Sequence, residues 1–114
     1  MTQFVLLFRS DLKEMKSRSP EEMQKAFKKW MDWRDSLEKN GHCKNFGQRM
    51  EPSGKVVRGR AKAVTDGPFV EVKDSVQGYL LIEAKDMGQA VDLAKGCPIL
   101  EWDGTVEVRA FMAA

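Results

Sequence analysis

The chain opens with a continuous apolar run and closes with an alternating one. Residues 3–9 contain five consecutive apolar side chains, which predicts a strand that is covered on both faces. Residues 78–83 form a similar run. In the last segment, 105–111, the small apolar side chains Val106, Val108 and Ala110 alternate with Thr, Glu, Arg and Phe. One face of this last strand is therefore predicted to lie against helices.

Two helices are predicted between these strands. Ser19 and Glu22 form a capping box with a proline between them, which predicts the start of a long helix. Apolar side chains then recur at near-helical spacing and favour a core stripe: Met23, Ala26, Phe27, Trp30, Met31, Trp33 and Leu37. The Asn-Gly pair at 40–41 predicts its end. A second helix is predicted to begin after Asp86 and to end at Gly96.

The middle of the chain predicts a hairpin followed by a rigid turn. Residues 42–50 and 55–65 have the pattern of two weaker strands around a Pro- and Gly-containing turn at 51–54. The Asp-Gly-Pro-Phe sequence at 66–69 then predicts a turn, because glycine tolerates unusual backbone angles and proline fixes its own φ. Such a turn would hold the carboxylate of Asp66 in a set direction.

The order of elements is βαββαβ with an extra hairpin strand. It predicts an α+β fold, a ferredoxin-like plait, formed by a single domain over residues 1–114. Two helices cover only one face of such a sheet, yet the two central strands are apolar on both faces. A second copy of the sheet would cover the other face, so we predict a homodimer with the sheets packed face to face.

Composition and charge narrow the classes of function. The net charge of +2 gives no electrostatic reason to expect nucleic acid or an anionic membrane as partner. No apolar run reaches the length of a membrane span, and the first residues lack a basic leader, so we expect a cytoplasmic protein. Cys43 and Cys97 lie far apart and His42 is the one histidine, which predicts free thiols and no metal site. Without a phosphate loop or a dinucleotide fingerprint, no cofactor is expected.

Several motifs in order resemble those of a known family. They are the Asp-Gly-Pro-Phe sequence at 66–69, Glu71 and Lys73, the Gly-Tyr pair at 78–79, the Val-Glu-Val-Arg sequence at 106–109, Trp30 followed by Gly41, and the hairpin residues Gly47 and Pro52. Together they extend from Phe4 to Arg109 and resemble the DGPF branch of the YCII-related proteins.

This resemblance implies a dimeric α/β barrel, the superfamily of muconolactone isomerases. A dehydrochlorinating enzyme of chlorinated hydroxyquinones belongs to the wider YCII group, and some related domains are associated with extracytoplasmic-function sigma factors. In the YCII branch proper, a helical histidine pairs with an aspartate as the proposed catalytic dyad. The matching position here is Trp30, and an indole cannot act as a general base. The dyad chemistry therefore does not transfer intact to this chain.

The polar candidates for a site each have a structural alternative. Asp66 can act as a general base or bind a polar group, or it can be a turn aspartate that bonds its own backbone. Arg109, beside Glu107, can hold a substrate carboxylate by a two-point contact, or it can form a structural ion pair with Asp66 or Glu107. His42 can transfer protons near neutral pH, or it can cap the start of a strand.

Trp30 and Tyr79 are the aromatic candidates. They can line a substrate pocket, or they can pack in the core. Two functions stay open on this basis. One is a cofactor-free enzyme or binder acting on a small organic acid or phenol, in a pocket beside the sheet with Asp66 and Arg109 as polar anchors. The other is an interaction or regulatory module linked to sigma-factor-dependent transcription, without catalysis.

Overall fold

A computed structural model gives the order of strands and helices along the chain. It is the order of a ferredoxin-like plait with an added hairpin. The structure describes residues 1–11, 17–43, 46–67, 75–102 and 104–113. Its elements are β1 (Thr2–Ser10), α1 (Pro20–Lys39), β2 (Gly54–Arg58), β3 (Ala63–Gly67), β4 (Ser75–Ala84), α2 (Met87–Ala94), a 3₁₀ helix (Pro98–Trp102) and β5 (Thr105–Ala110). The predicted α+β fold is confirmed, with an antiparallel sheet as in a ferredoxin-like plait.

The main sheet is built around β1. This strand pairs antiparallel with β4 on one side and with β5 on the other, so the sheet order is β4-β1-β5. Leu6 stands opposite Leu80 on one neighbour and opposite Val108 on the other. Alternate side chains of β1 are buried, which places Phe4, Leu6 and their partners on the face that carries the core.

The described residues of the predicted strand at 42–50 contact the outer edge of β4. One bridge joins Arg49 to Gly78. Backbone hydrogen bonds are also made at either end of this segment, from Glu83 N–H to the His42 carbonyl at 2.7 Å and from Met50 N–H to the Gln77 carbonyl at 2.8 Å. These described residues therefore lie where a fourth strand would pair with β4.

The predicted single strand at 55–65 is wrong, because this region forms both strands of a hairpin. β2 and β3 pair with each other, and the chain turns at 59–62, where Gly59 and Lys62 have φ values of 61° and 56°. Asp66 and Gly67 lie inside β3 and not in a turn, and Gly67 is not among the residues with positive φ. The rest of the Asp-Gly-Pro-Phe sequence lies outside the described residues.

The β2–β3 hairpin projects from the body of the protein. Its two strands form a separate sheet, and nearly all of their side chains are exposed. The radius of gyration is 15.6 Å, whereas about 13 Å is typical of a compact domain of this size. Val57 and Val64 pair directly across the hairpin, and both side chains are exposed.

Both helices begin as their sequences predict. The Ser19 hydroxyl accepts a hydrogen bond from Glu22 N–H at 3.2 Å, and the Asp86 carboxylate accepts one from Gln89 N–H at 2.8 Å. These bonds satisfy amide groups that the first helical turn leaves without a partner. Asn40 caps the end of α1 as expected. Among the described residues, no helix has the length and apolar content needed to cross a membrane.

The core lies between the sheet and the two helices. α1 contributes Trp33 and Leu37, while α2 contributes the small side chains of Ala90 and Ala94. The Trp33 indole Nε1 donates to the carbonyl of Leu93 at 3.2 Å, which joins α1 to the end of α2. Val106 and Val108 of β5 pack against this core, which confirms the predicted helix-facing side of the last strand.

Leu6 tests the importance of the central strand, since it is fully buried. We expect Leu6→Ala to lower the free energy of unfolding by about 2–5 kcal/mol, through lost burial and the cavity left behind. Urea denaturation followed by circular dichroism measures this loss. Leu100→Ala removes the same atoms at an exposed position and should cost much less. Equal losses for the two variants would contradict the central placement of Leu6.

Candidate functional site

A pocket opens between α1 and the β4 side of the main sheet. Its cavity volume is about 210 Å³, and most of its wall is apolar. α1 supplies one wall, the ends of β1 and β4 supply the floor, and residues 46–49 supply the wall opposite α1. The aromatic side chains around it are Phe8, Phe27, Trp30, Phe46, Tyr79 and Trp102. This concentration of rings makes the pocket the strongest candidate for a ligand site in the described part of the chain.

The wall formed by α1 corrects the sequence interpretation of its apolar stripe. Ala26, Trp33 and Leu37 are buried as predicted. Met23 and Phe27, however, are 52% and 65% exposed, and both line the pocket. The stripe is wider than the core that it covers, because side chains three and four residues apart continue around the helix. Its outer part therefore faces the pocket.

The wall opposite α1 depends on two glycines. Gly47 has φ +59°, and a Cβ atom there would lie 2.2 Å from the Tyr79 carbonyl oxygen and 2.9 Å from two atoms of its ring. A Cβ atom on Gly78 would lie 2.9 Å from the Gln48 carbonyl oxygen. Larger residues would force the two backbones apart. The glycines thus allow residues 46–49 to approach β4 and bring Tyr79 to the pocket.

Three aromatic rings connect the pocket to the core. Phe8 meets Trp30 edge to face with ring centroids 4.9 Å apart, and the Trp30 and Trp33 centroids are 5.7 Å apart at a similar angle. Such edge-to-face contacts are favourable beyond the area that they bury. Trp30 is held by these contacts and also lines the cavity, so it lies at the boundary between the core and the pocket. Its predicted contact with a substrate stays a prediction.

Arginine side chains stack on rings at the pocket. The guanidinium carbon of Arg34 lies 4.2 Å from the centroid of Phe46, and that of Arg18 lies 4.5 Å from the centroid of Trp102. Arg49 also lines the pocket. The sequence interpretation did not single out these arginines. A signal for Arg34 was available, because it follows Trp30 by four residues and so extends the helical face that carries Phe27 and Trp30.

The polar candidates from the sequence lie away from the pocket. Glu107 and Arg109 stand opposite Leu7 and Val5, on the sheet face that α1 and α2 do not cover. There Arg9 Nη2 contacts Glu107 Oε1 at 3.2 Å, and Arg109 Nε lies 4.0 Å from Glu107 Oε2. The structural alternative for this pair, an ion pair, is therefore present, with Arg9 as the closer partner.

Asp66 and His42 are also outside the pocket lining. The Asp66 side chain is 89% exposed on the projecting hairpin and pairs with Lys55 on the neighbouring strand. His42 Nδ1 lies 2.8 Å from the carbonyl oxygen of Glu83, so its ring links the end of α1 to β4. The structure brings Trp30 and Tyr79 together at one site and leaves these two polar groups apart from it. Glu71 and Lys73 lie outside the described residues.

The described residues contain no group of three or more His, Cys, Asp or Glu side chains placed to bind one metal ion. Cys43 and Cys97 are both buried thiols. Burial raises the pKa of the Cys97 thiol from 9.0 to about 12, and a hydrogen bond with the Ile99 backbone offsets only part of this effect. Cys97 is therefore a packed apolar side chain and not an activated thiol.

The fold and the pocket define a small α+β protein with a ligand-sized cavity between helix and sheet. The model of the YCII-related domain matches residues 3–113, nearly the whole chain. The chain therefore belongs to the YCII-related family. A comparison with curated proteins gives no match.

Cys97 gives a test of burial just before the 3₁₀ helix. We expect its alkylation at pH 8 to be about a hundredfold slower, or more, in the folded protein than in guanidinium, because the folded thiol stays protonated. Peptide mass spectrometry after timed iodoacetamide labelling measures the two rates. The unfolded thiol also ionises from about pH 9, whereas the folded thiol does so near 12. The free energy of unfolding should therefore fall over this range, and fall less in Cys97→Ala.

Proposed function

We propose that this protein binds a small, flat organic molecule with a single ring in the pocket between α1 and the main sheet. The aromatic lining of the pocket carries this proposal. Flat rings pack well against the edges and faces of aromatic side chains, and Trp30 and Tyr79 present theirs from two different elements. Trp30 is held by the core rings and Tyr79 lies within β4, so both rings are positioned before a ligand binds.

The size of the cavity limits the ligand. Its volume is about 210 Å³, whereas an apolar cavity of about 150 Å³ is sufficient to bind benzene. One ring with a small substituent fits within this volume. The exposed side chains of Met23 and Phe27 border the pocket, where they can close over part of a ligand.

Binding is better supported than catalysis. The described residues of the pocket lining include no histidine and no carboxylate that could act as a general base. Asp66, on the exposed hairpin, stays a predicted catalytic residue, and His42, Glu107 and Arg109 stay predicted contacts. We also propose that the chain belongs to the DGPF branch of its family. The Asp-Gly-Pro-Phe sequence and Trp30, in place of a helical histidine, support this assignment.

We further propose that the protein is a homodimer. Val5, Leu7 and Leu81 lie on the sheet face that the helices leave uncovered, and each is half-buried in the single chain. Apolar side chains on an uncovered sheet face favour packing against a second sheet. The neighbouring Arg9–Glu107 pair adds charges of both signs, which a twofold arrangement can match to their copies.

Light scattering tests the dimer. We expect a mass of 26.0 kDa at micromolar concentration, twice the 13.0 kDa of one chain. Leu81→Lys places a charge on the uncovered sheet face and should shift the mass toward that of the monomer. Val91→Lys makes the same change on the exposed side of α2 and should leave the mass unchanged. A monomeric wild-type protein would contradict the proposal.

Filling the pocket tests ligand binding. Toluene and phenol serve as neutral single-ring probes, and ¹H–¹⁵N NMR follows the Trp30 indole N–H and the amides of Gly47 and Tyr79. We expect saturable shifts at these groups. Ala26 is buried and lines the pocket, so Ala26→Leu should occupy part of the cavity. Its affinity for the probes should fall about tenfold or more, a loss of at least about 1.4 kcal/mol.

Ala63→Leu is the matched control, because Ala63 lies exposed on the hairpin. This variant should bind the probes like the wild-type protein. Thermal unfolding of both variants shows whether each is folded at the temperature of the titration. Absence of saturable shifts in the wild-type protein would contradict a ring-binding pocket and would favour the alternative, an interaction module without a small ligand.

A further inference from the structure

The charge of the pocket is more specific than its shape. Three arginines, Arg18, Arg34 and Arg49, line it, and the described residues of the lining include no aspartate or glutamate. The chain as a whole carries a net charge of only +2, so this is a local concentration of positive charge. Apolar walls with a low dielectric constant strengthen the field of such a group of cations. The pocket therefore favours an anion over a neutral ligand of the same shape.

Arg34 is the arginine best placed to contact that anion. Its Nε atom is buried and has no hydrogen-bond partner among the described residues. Its Nη1 atom lies 3.9 Å from the sulfur of Met31, which is a weak acceptor. The guanidinium carbon also lies over the Phe46 ring. This contact holds the group in position but leaves Nε and Nη1 without a strong acceptor among the described residues.

A buried donor without a partner is costly, and more so when it belongs to a charged group. A small turn of the guanidinium toward the cavity would let a carboxylate relieve this cost, because its two oxygen atoms match two N–H groups at the edge of a guanidinium. Arg34 lies on α1 one turn beyond Trp30, so a carboxylate at Arg34 would be attached to a ring beside Trp30. The cavity has room for one ring and one such group, as its volume shows.

We propose that the pocket selects a single-ring aromatic carboxylate, and that Arg34 binds its carboxylate group. This inference rests on the proposed function, since it assigns the ligand class of the same pocket. Arg18 and Arg49 contribute to the positive potential, while Arg34 makes the direct contact. The aromatic rings bind the ring of the ligand, so charge and ring are recognised by different parts of the wall.

Benzoate and benzamide provide the test, because they share a ring and nearly the same shape but differ in charge. Titration calorimetry and the NMR groups named above measure both affinities at low and high salt. We expect the wild-type protein to bind benzoate about tenfold more tightly than benzamide, or more, with the difference reduced by salt. Toluene and phenol are included to measure binding of the ring alone.

Arg34→Met keeps an unbranched apolar stem and removes the guanidinium group. We expect it to lose most of the preference for benzoate over benzamide, leaving only the part that Arg18 and Arg49 contribute. Arg34→Lys keeps a charge but lacks Nε, and should retain only part of the preference. Arg60→Met, on the exposed turn of the hairpin, removes the same charge elsewhere and should retain the full preference.

The outcomes separate the two proposals. Equal binding of benzoate and benzamide by the wild-type protein would overturn the carboxylate inference and leave the ring-binding pocket in place. A preference for benzoate that is undiminished in folded Arg34→Met would overturn the role of Arg34. If none of the four compounds binds, the proposed function fails and the inference fails with it. The wild-type comparison requires no variant, so misfolding of a variant cannot decide the result.

Discussion

The contact of Phe8 with Trp30 and Trp33 joins the main sheet to α1 at the edge of the pocket. Phe8 belongs to β1, which pairs with both neighbours of the main sheet. Trp33 fixes α1 against the sheet and, through its indole N–H, against the end of α2. Trp30 then extends from the same cluster into the pocket. The position of the pocket wall is consequently set by the core, and a ligand meets a ring whose orientation is already determined.

The pocket exists because α1 is more apolar than its core contacts require. A helix covers a sheet with one stripe of side chains, and here Ala26, Trp33 and Leu37 form that stripe. The adjoining apolar side chains face a gap between α1 and the edge of β4, where residues 46–49 complete the enclosure. The close approach of Gly47 to β4 keeps this gap narrow. Core packing and ligand enclosure therefore use neighbouring faces of one helix.

The fold was predictable from local patterns, because its strongest signals are local. Helix caps depend on a few adjacent residues, and Ser19 and Asp86 act as their sequences indicate. The alternation of β5 reflects one covered face and is likewise visible in the sequence. The hairpin was less predictable, since a turn at 51–54 and a turn at 59–62 both have suitable residues, and strand pairing decides between them.

The candidate site was predictable only in its aromatic part. Trp30 and Tyr79 lie at the pocket as the sequence suggested, because large rings near a core boundary commonly line cavities. The polar part was missed for a physical reason. Arg34 appears in the sequence as one of many charged helix residues, and its stacking on Phe46 depends on a contact between distant segments. The prominence of Asp66 in a motif, in turn, gives no information about its distance from a cavity.

The projecting β2–β3 hairpin and the main sheet should differ in how assembly affects their amide exchange in solution. A two-stranded hairpin on its own is only marginally stable in water, and no other described strand joins the sheet of β2 and β3. Contacts that the hairpin makes on assembly should therefore change its stability more than that of β1, whose side chains lie in the core. Amide exchange in the β2–β3 hairpin would then report assembly, whereas amide exchange in β1 would report global unfolding. One exchange experiment can therefore measure the two events separately.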